Sequence, residues 1–127
     1  MNAQELADTA RALVAPGKGI LAADESTGTI QKRFESVQVV STEETRRHYR
    51  QMLFTTPGVE QYISGVILYD ETIRQASDDG VPFAQVLAQK GIIPGIKVDT
   101  GAKDKAHFPE ERITEGLDGL RGRLNEY

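Results

Sequence analysis

Apolar residues in this chain follow two rhythms. Short unbroken runs, such as Ile20 to Ala23 and Val66 to Leu68, alternate with segments whose apolar positions recur every three or four residues. The first rhythm belongs to strands covered on both faces, the second to helices with one buried stripe. Asn2, with Glu5 three residues later, caps a first helix carrying Leu6, Ala10, Leu13 and Val14 on one side, and Pro16-Gly17 ends it. Ile20 to Asp24 reads as the first strand and residues 27–36 as a short helix. A capping box, Ser41-Thr42-Glu43-Glu44, opens a helix to about Phe54, with Tyr49, Met52 and Leu53 on its apolar side. Residues 64–70 give a second strand and residues 71–76 a helical turn. Pro82 suits the first position of a helix that holds Phe83, Val86 and Leu87 and ends at Gly91. Gly95 to Asp99 is the third strand. Residues 100–113 read as a long polar loop, and a last helix runs from Thr114 with Leu117, Leu120 and Leu124 on one face.

This order, a helix followed by three strand–helix units, predicts an α/β fold with a parallel sheet covered by helices. All three strands, so read, end in aspartate. The 127 residues fit one ordinary domain on length, and 39% apolar with 27% charged residues is the balance of a globular chain. No apolar run approaches the roughly 18 residues of a membrane span, so no membrane partner is expected. The start, Met1-Asn2-Ala3-Gln4-Glu5, has neither the basic residues nor the apolar core of a signal peptide, which makes a cytoplasmic location the expectation. The chain has no cysteine, which excludes disulfides and thiolate metal sites. A net charge of −4 argues against a general nucleic-acid binder while leaving room for one local phosphate site.

Four places carry candidate chemistry. Asp24 ends the first strand, where a carboxylate either caps the following turn or works as an acid/base group or an orienter of a substrate hydroxyl. Ser26, Thr27 and Thr29 stand at the start of the next helix; they serve as capping hydroxyls or, with free backbone N–H groups and the helix dipole, hold a phosphate. Lys32 and Arg33 follow one turn later, as a solvated face or as phosphate ligands. Lys97 lies between Ile96 and Val98, where a buried ammonium needs a partner, water or an anion. It shares a face with Asp99 by strand alternation, and an edge-strand lysine reaching water is the equal alternative. Asp24 and Lys97, at the ends of two parallel strands, are placed to meet at one rim, where such a pair suits proton transfer beside a carbonyl. Arg46, Arg47 and Arg50 read as a charged helix face beside Glu43 and Glu44. Gly17-Lys18-Gly19 lacks the order of a P-loop and precedes a strand, so it is not read as a nucleotide site. His48 and His107 have no second ligand at metal-site spacing, and neither a metal nor a cofactor is expected.

With these residues in view, the segment from Ala15 to Thr29, containing Gly19-Ile20-Leu21-Ala22-Ala23-Asp24-Glu25-Ser26-Thr27-Gly28, closely resembles the N-terminal part of class I fructose-bisphosphate aldolases. The resemblance continues through Arg46-Arg47-His48-Tyr49-Arg50-Gln51, Gly65-Val66-Ile67-Leu68, Pro94-Gly95-Ile96-Lys97-Val98-Asp99 and Thr114-Glu115-Gly116-Leu117-Asp118-Gly119-Leu120, in the family's order. It implies a TIM (β/α)8 barrel and a lyase of glycolysis and gluconeogenesis. The enzyme cleaves fructose 1,6-bisphosphate reversibly to dihydroxyacetone phosphate and glyceraldehyde 3-phosphate through a lysine Schiff base, without a metal. Carried over by matching residues, Asp24 is the active-site aspartate, Lys97, Ser26 and Thr29 are phosphate ligands, and Arg33 belongs to sugar-phosphate binding. The resemblance further implies a homotetramer of the complete enzyme.

The chain departs from that pattern in length, since such barrels run to about 250 residues. Residues 1–127 are expected to form the N-terminal part of the barrel domain, incomplete at about three strands, with the Schiff-base lysine and the acid/base glutamate beyond Tyr127. Three strands cannot close a barrel, and two sheet edges would stay unpaired. The isolated piece is therefore expected to be inactive, poorly stable and prone to associate. The alternative reading is a non-catalytic sugar-phosphate-binding or interaction module.

Overall fold

The structure, a computed structural model, describes residues 2–127. The chain forms two compact units, one running to Ile96 and the other from Lys97 to Tyr127.

In the first unit, helix α1 (Ala3–Leu13) leads to strand β1 (Gly19–Ala23), helix α2 (Thr27–Ser36) and helix α3 (Glu43–Thr55). A single 3-10 turn (Val59–Gln61) precedes strand β2 (Ile63–Leu68); helices α4 (Asp70–Ile73) and α5 (Phe83–Gln89) and strand β3 (Ile93–Ile96) complete the unit. The strands are parallel in the order β1-β2-β3, with Ala23 opposite Leu68 and Leu68 opposite Ile96. Residues facing α3 and α5 make the core: Ala23, Val66 and Leu68 from the sheet, Phe54 from α3, Phe83 and Leu87 from α5, and Ile92. Phe54 meets Phe83 edge to face, with ring centres 5.3 Å apart. Strand alternation turns Ile20 and Ala22 to the opposite face, where both are exposed.

All three strands stop short of the aspartates expected to end them. Asp24 follows β1 directly, while Tyr69 leaves β2 as the cap of α4, which opens at Asp70. Once β2 turns away, β3 has no neighbour to pair with beyond Ile96, so Lys97 follows the strand instead of lying inside it. At the other end β3 begins at Ile93, earlier than the expected Gly95.

In the first unit the longer helices keep close to the boundaries the sequence pattern gives, but the buried faces of α1 and α3 differ from it. Asn2 and Glu5 form the expected capping box, Glu5 N donating to Asn2 Oδ1 at 2.9 Å and Asn2 N to Glu5 Oε2 at 2.7 Å. The apolar stripe of α1 is nonetheless not core: Leu6 and Val14 are 57% and 74% exposed. The helix is held at its end. Ser64 Oγ donates to Leu13 O at 2.6 Å, and the Leu13 side chain covers Gly65 so closely that a Cβ there would lie 2.5 Å from Leu13 Cδ2. On α3 the cap is Thr42 with Thr45, not Ser41 with Glu44, because Ser41 Oγ is engaged by Arg46 Nη1 at 3.2 Å. Its buried residues are Arg50 and Phe54, while Met52, expected inside, is 58% exposed.

The second unit corrects the expected loop. Residues 101–115 form an antiparallel hairpin, β4 (Gly101–Lys105) and β5 (Phe108–Glu115), closed by a turn in which His107 takes φ 65°. Lys105 ties the hairpin, its Nζ lying 2.7 Å from Glu111 Oε2 and 4.3 Å from the centre of the Phe108 ring. Helix α6 (Leu120–Glu126) starts later than the expected Thr114. The chain first passes through Gly116 (φ 151°) and Gly119 (φ 68°), conformations that no helix contains. Gly116 is also required by space, since a Cβ there would lie 2.8 Å from the Asp99 Cα and 2.9 Å from Val98 O. Arg123 stitches this turn together, Nη2 donating to Gly116 O at 2.7 Å and to Val98 O at 3.1 Å, and Nη1 to Asp118 O at 2.7 Å.

Candidate active site

The exit of β1 gathers three of the residues singled out in the sequence, Asp24, Ser26 and Thr29. Ala23 is buried against the core, so the next residue, Asp24, turns its side chain to the other face of the sheet. The Asp24 carboxylate is half-buried and makes no hydrogen bond or ion pair among the described residues. Ser26 then caps α2: its Oγ accepts from Thr29 N at 3.4 Å and lies 3.1 Å from Thr29 Oγ1. The first-turn amides of α2 have no partner within the helix. Next to them, Gly28 leaves its surroundings open, with no atom within 4 Å of where a Cβ would stand. One carboxylate, two hydroxyls and a helix N-terminus therefore share a single short turn, a set able to orient a hydroxyl and receive an anion.

Arg33, one turn further along α2, is not a free cation. It pairs with Glu25, whose side chain is only 9% exposed. On its other oxygen Glu25 accepts from Arg50 Nη2 at 2.9 Å. Arg50 is 1% exposed, and its remaining contacts go to backbone: Nε to Ala23 O at 2.8 Å and Nη2 to Glu25 O at 3.0 Å. Burial pulls its pKa down while Glu25 opposes the shift, so the guanidinium stays charged. Tyr49 stacks beside it, 5.8 Å from ring centre to Cζ, and meets Phe34 of α2 edge-on.

The two neighbouring arginines also point inward along the molecule. Arg46 grips Glu71, just past β2, with Nε and Nη2 at 2.8 and 2.6 Å. Arg47 Nη2 binds Glu44 at 2.8 Å and Asp78 at 2.7 Å, and Nη1 reaches Ala76 O at 3.1 Å. Glu44 and Asp78 raise the Arg47 pKa, while Gln51 Nε2, donating to Asp78 Oδ2 at 2.6 Å, and then Arg47 hold the Asp78 carboxyl below its usual range. The expected solvated face of α3 is thus a row of tethers holding the segments that leave β1 and β2. The sequence reads Arg50 only as part of that charged face, which its 1% exposure corrects, and gives Glu25 no role. Their one legible signal is that Arg50 stands four residues before Phe54, on the same side of the helix.

In the second unit, Lys97 is paired with Asp99, and Asp99 Oδ1 also accepts from Gly101 N at 2.9 Å. The lysine and the amide hold the Asp99 carboxyl below its ordinary value. Of the two open readings of Lys97, the structure thus shows a partnered ammonium.

Set against known proteins, the chain matches the family described as fructose-bisphosphate aldolase class-I over residues 5–127. It is 63% identical over 127 residues to a protein of Xanthomonas campestris named probable fructose-bisphosphate aldolase class 1, covering all of this chain and 38% of that one. It is 56% identical over 125 residues to fructose-bisphosphate aldolase 1 of Toxoplasma gondii, covering 34% of it. Among solved structures, fructose-bisphosphate aldolase from Plasmodium falciparum superposes with a TM-score of 0.93 at 52% identity, over 98% of this chain and 36% of that chain. The chain therefore spans little more than a third of the length of these relatives. The family match and these identities agree: the chain belongs to the class I fructose-bisphosphate aldolase family.

Proposed function

We propose that residues 1–127 are the N-terminal part of a (β/α)8 barrel that acts as a class I fructose-bisphosphate aldolase in the cytoplasm, a homotetramer when complete. The observation that carries this reading is the Asp24 carboxylate, unpartnered among the described residues, at the C-terminal end of a parallel strand and next to a capped helix N-terminus, in a chain of this family. In (β/α)8 enzymes that end of the strands is where catalytic groups stand.

In this reading a lysine outside residues 1–127 attacks the substrate ketone and, with loss of water, forms an imine. Its cationic form takes up the electron pair of the breaking carbon–carbon bond. Asp24 handles a proton beside that centre. Ser26, Thr29 and the first turn of α2 receive a phosphate, which fixes the sugar for the reaction. Lys97 and Arg33 supply positive charge for phosphate, each exchanging its present partner, Asp99 or Glu25, for the ligand.

Borohydride trapping with dihydroxyacetone phosphate, read by intact mass, tests this. The full-length protein should gain one adduct per chain and residues 1–127 alone none. A stoichiometric adduct on any of the six lysines of residues 1–127 would overturn the assignment of the nucleophile.

A further inference from the structure

We propose that Arg50 is a positioning residue for the Asp24 carboxylate, its buried guanidinium bonding the residues on either side of Asp24 and so fixing the one between. The inference rests on the catalytic reading of Asp24.

The geometry is specific. Arg50 reaches from α3 to Ala23 O at 2.8 Å, and to Glu25 twice, at the backbone oxygen (3.0 Å) and the carboxylate (2.9 Å). Residues 23 and 25 are thus held by one rigid planar group, and the backbone of Asp24 has little freedom left. The clamp works from the core side, where Ala23 is buried, and Asp24 faces the other way. With no partner of its own among the described residues, the Asp24 side chain takes its direction from the backbone alone.

Stability is a poor reason for this arrangement. Burying a charged pair costs desolvation that well-packed apolar side chains of similar volume avoid, and replacing such a pair with them is often neutral or stabilising. A guanidinium kept at 1% exposure, with its donors aimed at the flanks of one carboxylate, is what accurate placement requires.

A double-mutant cycle on the full-length protein separates positioning from simple support. Fructose 1,6-bisphosphate cleavage is measured for Arg50→Lys, Asp24→Asn and the pair, with circular dichroism as the check on folding. Arg50→Lys keeps the charge but loses the fork. It should lower kcat by roughly 10- to 100-fold with KM within about threefold. In the Asp24→Asn background the same change should alter kcat by no more than about threefold, because its route of action is already gone. Multiplicative losses, or unchanged kcat in Arg50→Lys, overturn the proposal. If Asp24→Asn retains full kcat, the catalytic reading of Asp24 fails and the positioning role falls with it. An inactive Asp24→Asn beside a fully active Arg50→Lys removes only the positioning role. Should Arg50→Lys not fold, Glu25→Gln takes its place in the cycle with the same expectation for kcat and for its loss in the Asp24→Asn background, KM being left out because Glu25 also pairs with Arg33. Failure of both to fold assigns the clamp to stability and overturns the proposal.

Discussion

The two units are held by different means. The first joins residues far apart in sequence: Arg50 to Glu25, Arg46 to Glu71, Arg47 to Asp78, Ser64 to Leu13, all around a core that includes Phe54 and Phe83. The second has no residue in the fully buried class and relies on a hairpin ladder, a sterically required Gly116 and the three carbonyl contacts of Arg123. Its order is therefore local, and local order opens at low free energy. The carboxylate with a proposed catalytic role stands in the unit that has a core.

The sharpest way to break this contrast is to remove the core. Phe54→Ala deletes a ring that is 1% exposed and loses its partner Phe83. It should destabilise the first unit by about 3–5 kcal/mol, read by urea unfolding. Hairpin amides should keep their exchange behaviour at denaturant levels below that transition. Gly116→Ala attacks the other side. The new methyl meets backbone atoms of Val98 and Asp99, so the turn must shift, at a cost of about 1–3 kcal/mol. Hydrogen exchange should quicken across residues 99–116 and leave the core amides of β2 unchanged; equal effects in both units would erase the distinction. The smallest effect comes from acid. Asp99 has its pKa lowered by Lys97, so its contribution is fully present above the ordinary value of 3.8 and is lost as the pH falls through the lower folded value. Asp99→Asn should remove that part of the acid response of the hairpin. An unchanged acid profile in the variant would assign the transition to other carboxylates.

What the sequence revealed depended on how far each interaction reaches. The Asn2 and Glu5 box is complete within one helical turn, and it forms as read. The strands were legible because runs such as Val66 to Leu68 have no polar face to offer water, and β2 and β3 end early because β2 turns away at Tyr69. Arg50 was illegible because its partners lie 25 and 27 residues away, while Glu43 and Glu44 nearby give the appearance of an exposed charged helix. The hairpin carried no alternation to read, since every residue of β5 is exposed and its turn uses His107 in place of a glycine. At the β1 exit, Asp24, Ser26 and Thr29 were legible as a local cluster; the arginine that holds the residues on either side of Asp24 was not.

The self-contained caps of α2 and α3 have a consequence for how this unit assembles. Parallel pairing of Gly19 with Ile63 closes a long loop, and that closure must be made before any strand contact rewards it. Both helices lie inside the loop. Ser26 with Thr29 and Thr42 with Thr45 let each begin without help from the sheet. Residues already wound into helices shorten the span that diffusion must close. In kinetic terms, two hydroxyl caps on the surface help decide how soon β1 finds β2.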